Sequence, residues 1–308
     1  MAFVHRPPTP LVSVIARADA AATTHNARRS TTANRYQFPS PNWWTPTRGA
    51  RLPAGYDAVR DRVDALLLVC PRSAVVVGPT AAHLWNLPLP PYAEAGPLHV
   101  NVPTRGFHID RPDVRCHRKM LSRDDVRTHS ARRLSSPVRT FLDLGAHLPT
   151  PDLVAVADAL LRREMATLAE LVERAKRHRR RRGIIRVREA LEYAHPGAES
   201  PRESVMRYHL WQAGLRDLIP NVNVYDRNGT FIARGDLVDE AAKIIVEYDG
   251  LHHLTREGQA ADAERRLRVG LEHWLMVTVI PGDLHPPSRR VAKVLAAYNA
   301  RRQTPRMR

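Results

Sequence analysis

Apolar positions change their spacing several times along the chain, and each change marks an expected element. Val59, Val63, Leu66 and Leu67 recur at helical spacing, so a helix is expected over 56–70. Ala74–Val77 is a short branched run ended by Gly78-Pro79 and predicts a strand, with a short helix through Ala81–Trp85 after it. Leu98–Val102 alternates and predicts another strand, as does Val114–His117. Ser136-Pro137 supplies a cap and a proline at favoured N-terminal helix positions. Leu153, Val156, Ala157 and Leu160 form the stripe of a helix over 151–163. Thr167-Leu-Ala-Glu170 has the capping-box spacing. Ile184, Val187, Leu191 and Ala194 continue the helical period until His195-Pro196-Gly197, where a domain boundary is expected.

The last hundred residues are more sharply punctuated. Ser200-Pro201-Arg202-Glu203 opens a helix that Gly214 closes, and Val222 and Val224 lie on a strand reaching the turn Asp226–Gly229. A second strand returns over 230–238 with Asp236, and Ile244-Ile245-Val246 begins a third. A helix over 260–273, a strand over 275–280 and a helix over 288–302 complete the order α-β-β-β-α-β-α. The expected fold is an α+β N-terminal domain followed by an α/β domain with a mixed central sheet.

The third strand of that series carries the most pointed chemistry. Glu247 and Asp249 follow the apolar run two residues apart, and on a strand such residues share a face. Two carboxylates about 4 Å apart repel by roughly 4 kcal/mol at an effective dielectric near 20. A divalent cation is the usual way to keep such a pair. The plainer alternatives are ion pairs with arginines for both acids and a turn at Asp249-Gly250. Glu203, three residues after Ser200, can also act simply as the partner in a capping box.

Charge widens the picture. Lys and Arg number 48 against 31 Asp and Glu in 308 residues, a net charge of +17. A balance this basic points to polyanions, nucleic acid first. Arg179-Arg180-Arg181-Arg182 concentrates that charge and suits phosphate contacts, which position a protein without reading bases. A solvated helix face is the bland alternative. Cys70 and Cys116 lack paired spacing, so neither a zinc cluster nor a disulfide framework is expected, which fits the cytoplasm. Leu11–Ala16 is interrupted by Arg17, short for a signal-peptide core, and no apolar run approaches the ~20 residues of a membrane span. Residues 1–50 have no clear period and are expected to be mostly a disordered basic arm, with ordering expected near Trp43-Trp44. Dinucleotide, Walker, nucleophile-elbow and zincin motifs are absent.

The combination Ser200-Pro201-Arg202-Glu203, Asp236-Leu237, Glu247-Tyr248-Asp249-Gly250, His252-His253, Asp262-Ala263-Glu264-Arg265 and Trp274 resembles the PD-(D/E)XK nuclease fold over roughly 198–285. The resemblance is closest to uncharacterised proteins related to very-short-patch-repair endonucleases. Residues 73–163, through Ala81–Trp85 and Ser136–Asp143, are similar to AbiEi-type antitoxins. A full winged helix-turn-helix, with which such relatives begin, is not legible. The resemblance implies a disordered arm over 1–50, an antitoxin-like α+β domain over 51–165, a basic helical linker over 166–197, a restriction-endonuclease-like domain over 198–302 and a short tail.

It further implies a Mg2+- or Mn2+-dependent DNA endonuclease. Asp236, Glu247 and Asp249 would be metal ligands, Glu203 an outer or second-metal ligand and His253 a general acid or base. Asp249 stands where the nuclease signature has lysine, and Lys243 lies at the other end of the strand. His253 and Arg265 are the candidates to compensate, with Arg265 also a nucleic-acid contact. The alternatives are a DNA-binding antitoxin-type regulator whose nuclease module is inactive, paired with a toxin or regulatory protein, and a partner-binding protein whose basic surface is incidental.

Overall fold

The structure is a computed structural model that describes residues 43–47, 50–53, 58–103, 109, 111–248, 256–280, 283 and 286–303. The chain divides into two units, Met1–His147 and Leu148–Arg308.

The first unit opens with an antiparallel pair, β1 (Trp43–Thr47) and β2 (Ala50–Pro53). The arm expected to be mostly disordered to residue 50 therefore contains a strand, at the Trp43-Trp44 pair where ordering is expected. Helix α1 (Ala58–Val69), β3 (Val75–Val76), α2 (Gly78–Leu84), α3 (Pro91–Glu94), β4 (Leu98–Asn101), β5 (Val114–His117), β6 (Val126–His129), β7 (Arg132–Ser135) and α4 (Pro137–Leu144) follow. The sheet order is β5-β4-β3-β7-β6. Val76, Leu98, Val100, Val114 and Leu134 meet Val63, Leu66, Ala81 and Leu84 from α1 and α2 to form its core. Ser136 caps α4 by accepting from Arg139 N, which is the cap the sequence suggested.

A histidine cluster sits on this sheet. His99 Nδ1 and His117 Nε2 are 3.1 Å apart across β4 and β5, and the His147 ring stands nearly perpendicular to His99 at 4.9 Å. Burial, reinforced by His147, His117 and Arg115, pushes His99 down to about 3 against the pull of Asp143. Burial and Lys119 push His117 down as well.

The second unit contains α5 (Thr150–Arg162), α6 (Leu168–Arg177), α7 (Ile184–Glu192), α8 (Pro201–Gln212), β8 (Ile219–Tyr225), β9 (Phe231–Asp239), β10 (Ile244–Tyr248), α9 (Arg256–Leu271), β11 (Leu275–Val279) and α10 (Pro287–Gln303). The α-β-β-β-α-β-α order from α8 onward matches the one expected. The sheet runs β11-β10-β9-β8 and is mixed. Strands β8, β9 and β10 pair antiparallel, whereas β10 and β11 are parallel and use α9 as their crossover. Met206, Leu210, Val294 and Ala297 from α8 and α10 cover one face, against Leu237, Ile244, Val246 and Val277. Val269 of α9 covers the other, against Val238 and Ile245.

The unit begins earlier than the sequence pattern suggested. Asp158 on α5 accepts from the wholly buried Arg207 on α8 and from the His195 backbone N–H. An ion pair this deeply buried is strongly destabilised if either partner is removed. It ties α5 to α8, and α7 packs on α5, so the helices expected as an N-terminal element and a linker belong with the first helix of the C-terminal element series. No helix among the described residues is long and apolar enough to cross a membrane.

Candidate functional site

Strand register assembles the acids. Val246 pairs with Leu237, so the antiparallel ladder sets Glu247 beside Asp236 at the next step. On the other flank, Pro220 pairs with Leu237 and Val222 with Gly235, which sets Asn221 opposite Asp236. A row Asn221, Asp236, Glu247 thus crosses β8, β9 and β10. Gly235 makes the close approach possible, because a Cβ there would lie 2.6 Å from Ile245 Cγ2.

Asp236 is committed through one oxygen, its Oδ2 accepting from the Tyr248 backbone N–H at 2.7 Å. Burial pushes its carboxyl up to about 6; that N–H opposes the shift, Glu203 and Glu247 add to it, and Arg265 also opposes it. Glu203 arrives from the first turn of α8. Its backbone N–H donates to Ser200 Oγ, while its Oε2 accepts from Glu199 N at 2.9 Å and from Asn221 Nδ2 at 2.8 Å. The side chain therefore does not complete the reciprocal box with Ser200; it turns toward the sheet. Asn221 is held in the left-handed region, φ 55, and donates its second amide hydrogen to Gly197 O at 2.7 Å. A non-glycine residue in this conformation is strained, and the two hydrogen bonds hold it there.

Glu247 makes the kind of arginine pair that the sequence reading set beside a metal role. Arg265 Nη1 and Nη2 each donate to one of its oxygens at 2.7 Å, a bidentate pair. Glu247, expected as a metal ligand, and Arg265, expected as a contact to nucleic acid, hold each other in this structure. Lys243 Nζ donates to Glu272 O at the far end of β10, which removes it from the site. Asp249, His252 and His253 lie outside the described residues. Among the described residues, no group of three or more His, Cys, Asp or Glu could hold a metal ion.

Beyond the row of acids, the Arg202 guanidinium stacks over the Tyr248 ring at 5.3 Å. Arg179–Arg182 lie well away in sequence, in the turn between α6 and α7, where Arg177 to Arg181 line an open concavity of about 460 Å3. Sequence reasoning missed Asn221. Its place opposite Asp236 follows from the β8–β9 register, which the β-turn Asp226–Gly229 sets but does not disclose without the pairing.

No family model matches the chain, and no solved structure matches it. The chain is similar to two uncharacterised proteins from two strains of Mycobacterium tuberculosis. Each is 26% identical over 171 residues, covering 55% of this chain and 62% of the relative. The chain thus spans about three fifths of the length of the curated relatives it matches.

Proposed function

We propose that the second unit is a metal-dependent DNA endonuclease of the repair-like type, a PD-(D/E)XK-like module that hydrolyses phosphodiester bonds. The supporting observation is Asp236: a carboxylate half-buried between two others, with only one oxygen engaged. A fold that keeps such a group gains from a cation beside it.

The residues fit one kind of cation. Mg2+ is commonly held by one or two carboxylates together with water and substrate phosphate, not by a cage of protein ligands. Among the described residues, Asp236 Oδ1 and Glu203 Oε1 accept no hydrogen bond, so these two carboxylates would hold the ion. Bound Mg2+ or Mn2+ would neutralise charge on the transferring phosphate and make water a better nucleophile. The chain's own residues do the positioning. The Tyr248 N–H fixes Asp236, Asn221 and Glu199 N–H fix Glu203, and Arg265 holds Glu247 so that its charge faces Asp236 without competing for the ion.

A second reading has its own support. The capture of Glu247 by Arg265, with Asp249 in the usual lysine position, suits a DNA-binding regulator of antitoxin type with an inactive module and a toxin or other protein partner. Plasmid nicking separates the two. The endonuclease reading expects supercoiled DNA to be nicked with Mg2+ or Mn2+ and not with EDTA, with a loss of at least ~100-fold in Asp236→Asn, because single electrostatic groups of a site contribute that much. Intact plasmid with well-folded wild type and either ion favours the regulator.

A further inference from the structure

Helices α6 and α7 take no part in the acid site, yet they hold the most concentrated charge in the chain. The hairpin they form is firmly built. Thr167 and Glu170 close a reciprocal capping box at its start, and Leu171, Ala175, Ile184 and Val187 are buried along the helices. Arg188 Nη2 donates to Ala175 O across the pair at 3.1 Å, and Gly183 turns the chain with φ 79, a conformation that favours glycine. The turn from His178 to Gly183 is therefore presented from two fixed helix ends.

What it presents is guanidinium. Arg179, Arg180 and Arg182 are exposed and have no acidic partner among the described residues, whereas Arg177 is paired with Glu173 at 2.9 Å. Like charges crowded into one turn repel, and Arg179, Arg180 and Arg182 have no acid among the described residues to relieve them. The open concavity of about 460 Å3 is lined by four arginines and His178. Arginine, not lysine, fills it, and the planar guanidinium fork matches phosphate oxygens.

We infer that this turn is a seat for the phosphate backbone of duplex DNA. Single strands are gripped chiefly by stacking on Phe, Tyr and Trp, and Arg177–Gly183 contains none of these. A membrane surface takes an apolar helix face, and here most of the apolar face of the hairpin is turned inward, Leu168 and Ile185 excepted. Contacts of this kind carry no base information, so the seat fixes where the duplex lies and not which sequence is bound. The inference shares with the proposed endonuclease only the choice of DNA as partner, and it stands whether or not Asp236 supports cleavage.

Fluorescence anisotropy with the full chain tests it, using a duplex of about 30 base pairs of mixed sequence in EDTA, across a salt series. Each phosphate neutralised adds about 0.9 to the slope of log affinity against log salt. The triple variant Arg179→Ala/Arg180→Ala/Arg182→Ala is expected to lose about 2 to 3 from that slope and at least ~10-fold in affinity at low salt. The corresponding triple lysine variant keeps most of the slope. Because the three side chains are exposed, the alanine variant should melt like wild type. An alanine triple with unchanged slope and affinity overturns the proposal, as does a wild type that leaves the duplex free at low salt. Preferential competition by single-stranded DNA or by RNA would overturn the assignment to duplex DNA.

Discussion

Each unit gathers like titratable groups, and each deals with them differently. In the first, His99, His117 and His147 are three bases in ring contact around β4 and β5. In the second, Glu203, Asp236 and Glu247 are three acids around β9 and β10. Two of the bases dispose of their charge: burial holds His99 down at about 3 and lowers His117, so both favour the uncharged form at neutral pH. The acids keep part of theirs. Arg265 cancels Glu247 with two short hydrogen bonds, while Asp236 and Glu203 each retain an unengaged oxygen. A cluster that solves its own repulsion is structural in character. One left half-solved points to something external.

Removing Arg265 breaks the comparison most severely. Arg265→Met leaves Glu247 beside Asp236 without its guanidinium, and the second unit should lose about 2 kcal/mol, below the 3–5 kcal/mol of a fully buried pair because both side chains reach solvent. Denaturant unfolding followed by Trp211 and Trp274 fluorescence measures this. Millimolar Mg2+ should offset the loss, since a ligand at a hundredfold excess over Kd stabilises by about 2.7 kcal/mol. A variant as stable as wild type without Mg2+ would refute the balance described.

Acid distinguishes the clusters next. His99 has a folded pKa below its unfolded value of 6.5, so the unfolded chain takes up a proton first. Its contribution is complete above pH 6.5 and is lost progressively as pH falls toward 3. Asp236 works in the opposite sense: its carboxyl is raised from 3.8 to about 6, so the cation-free fold is relieved as pH falls from 6 to 4. Between pH 7 and 5 the first unit should lose about 1 kcal/mol, allowing for solvent screening, while the second does not lose on account of Asp236. Hydrogen exchange resolved by unit gives the answer, and equal loss in both would sink the distinction.

The smallest effect on stability is expected at Asn221. Asn221→Gly relieves a left-handed residue but removes two hydrogen bonds, so stability should move by less than about 1 kcal/mol. Mn2+ affinity should nevertheless fall about tenfold, as it does when a group orienting a metal ligand is lost. Calorimetric titration with Mn2+ reads this directly, and unchanged affinity would show that Glu203 does not depend on Asn221.

The second unit was more legible than the first, for local reasons. Asp226 accepts from Asn228 N and Thr230 N, which fixes the turn ahead of β9, and Ser200 and Thr167 cap their helices as their spacing indicates. The hairpin β6–β7 escaped notice because Ser130 and Ala131, with φ 45 and 62, make its turn without the Asn or Gly that usually advertises it. The unit boundary escaped because Asp158 and Arg207 are separated by 49 positions. Spacing on β10 shows that Glu247 belongs to an acidic row, yet only the packing of α9 reveals that Arg265 claims both its oxygens. Local chemistry was readable; partners chosen across the sheet were not.

Gly235 extends the site's demands to a residue that performs no chemistry. Any larger side chain there would collide with Ile245 and pry β9 away from β10. Asp236, the next residue, would be carried along. Under random mutagenesis position 235 should therefore be as intolerant as position 236, and a lineage that abandoned the acid could relax its glycine only afterward.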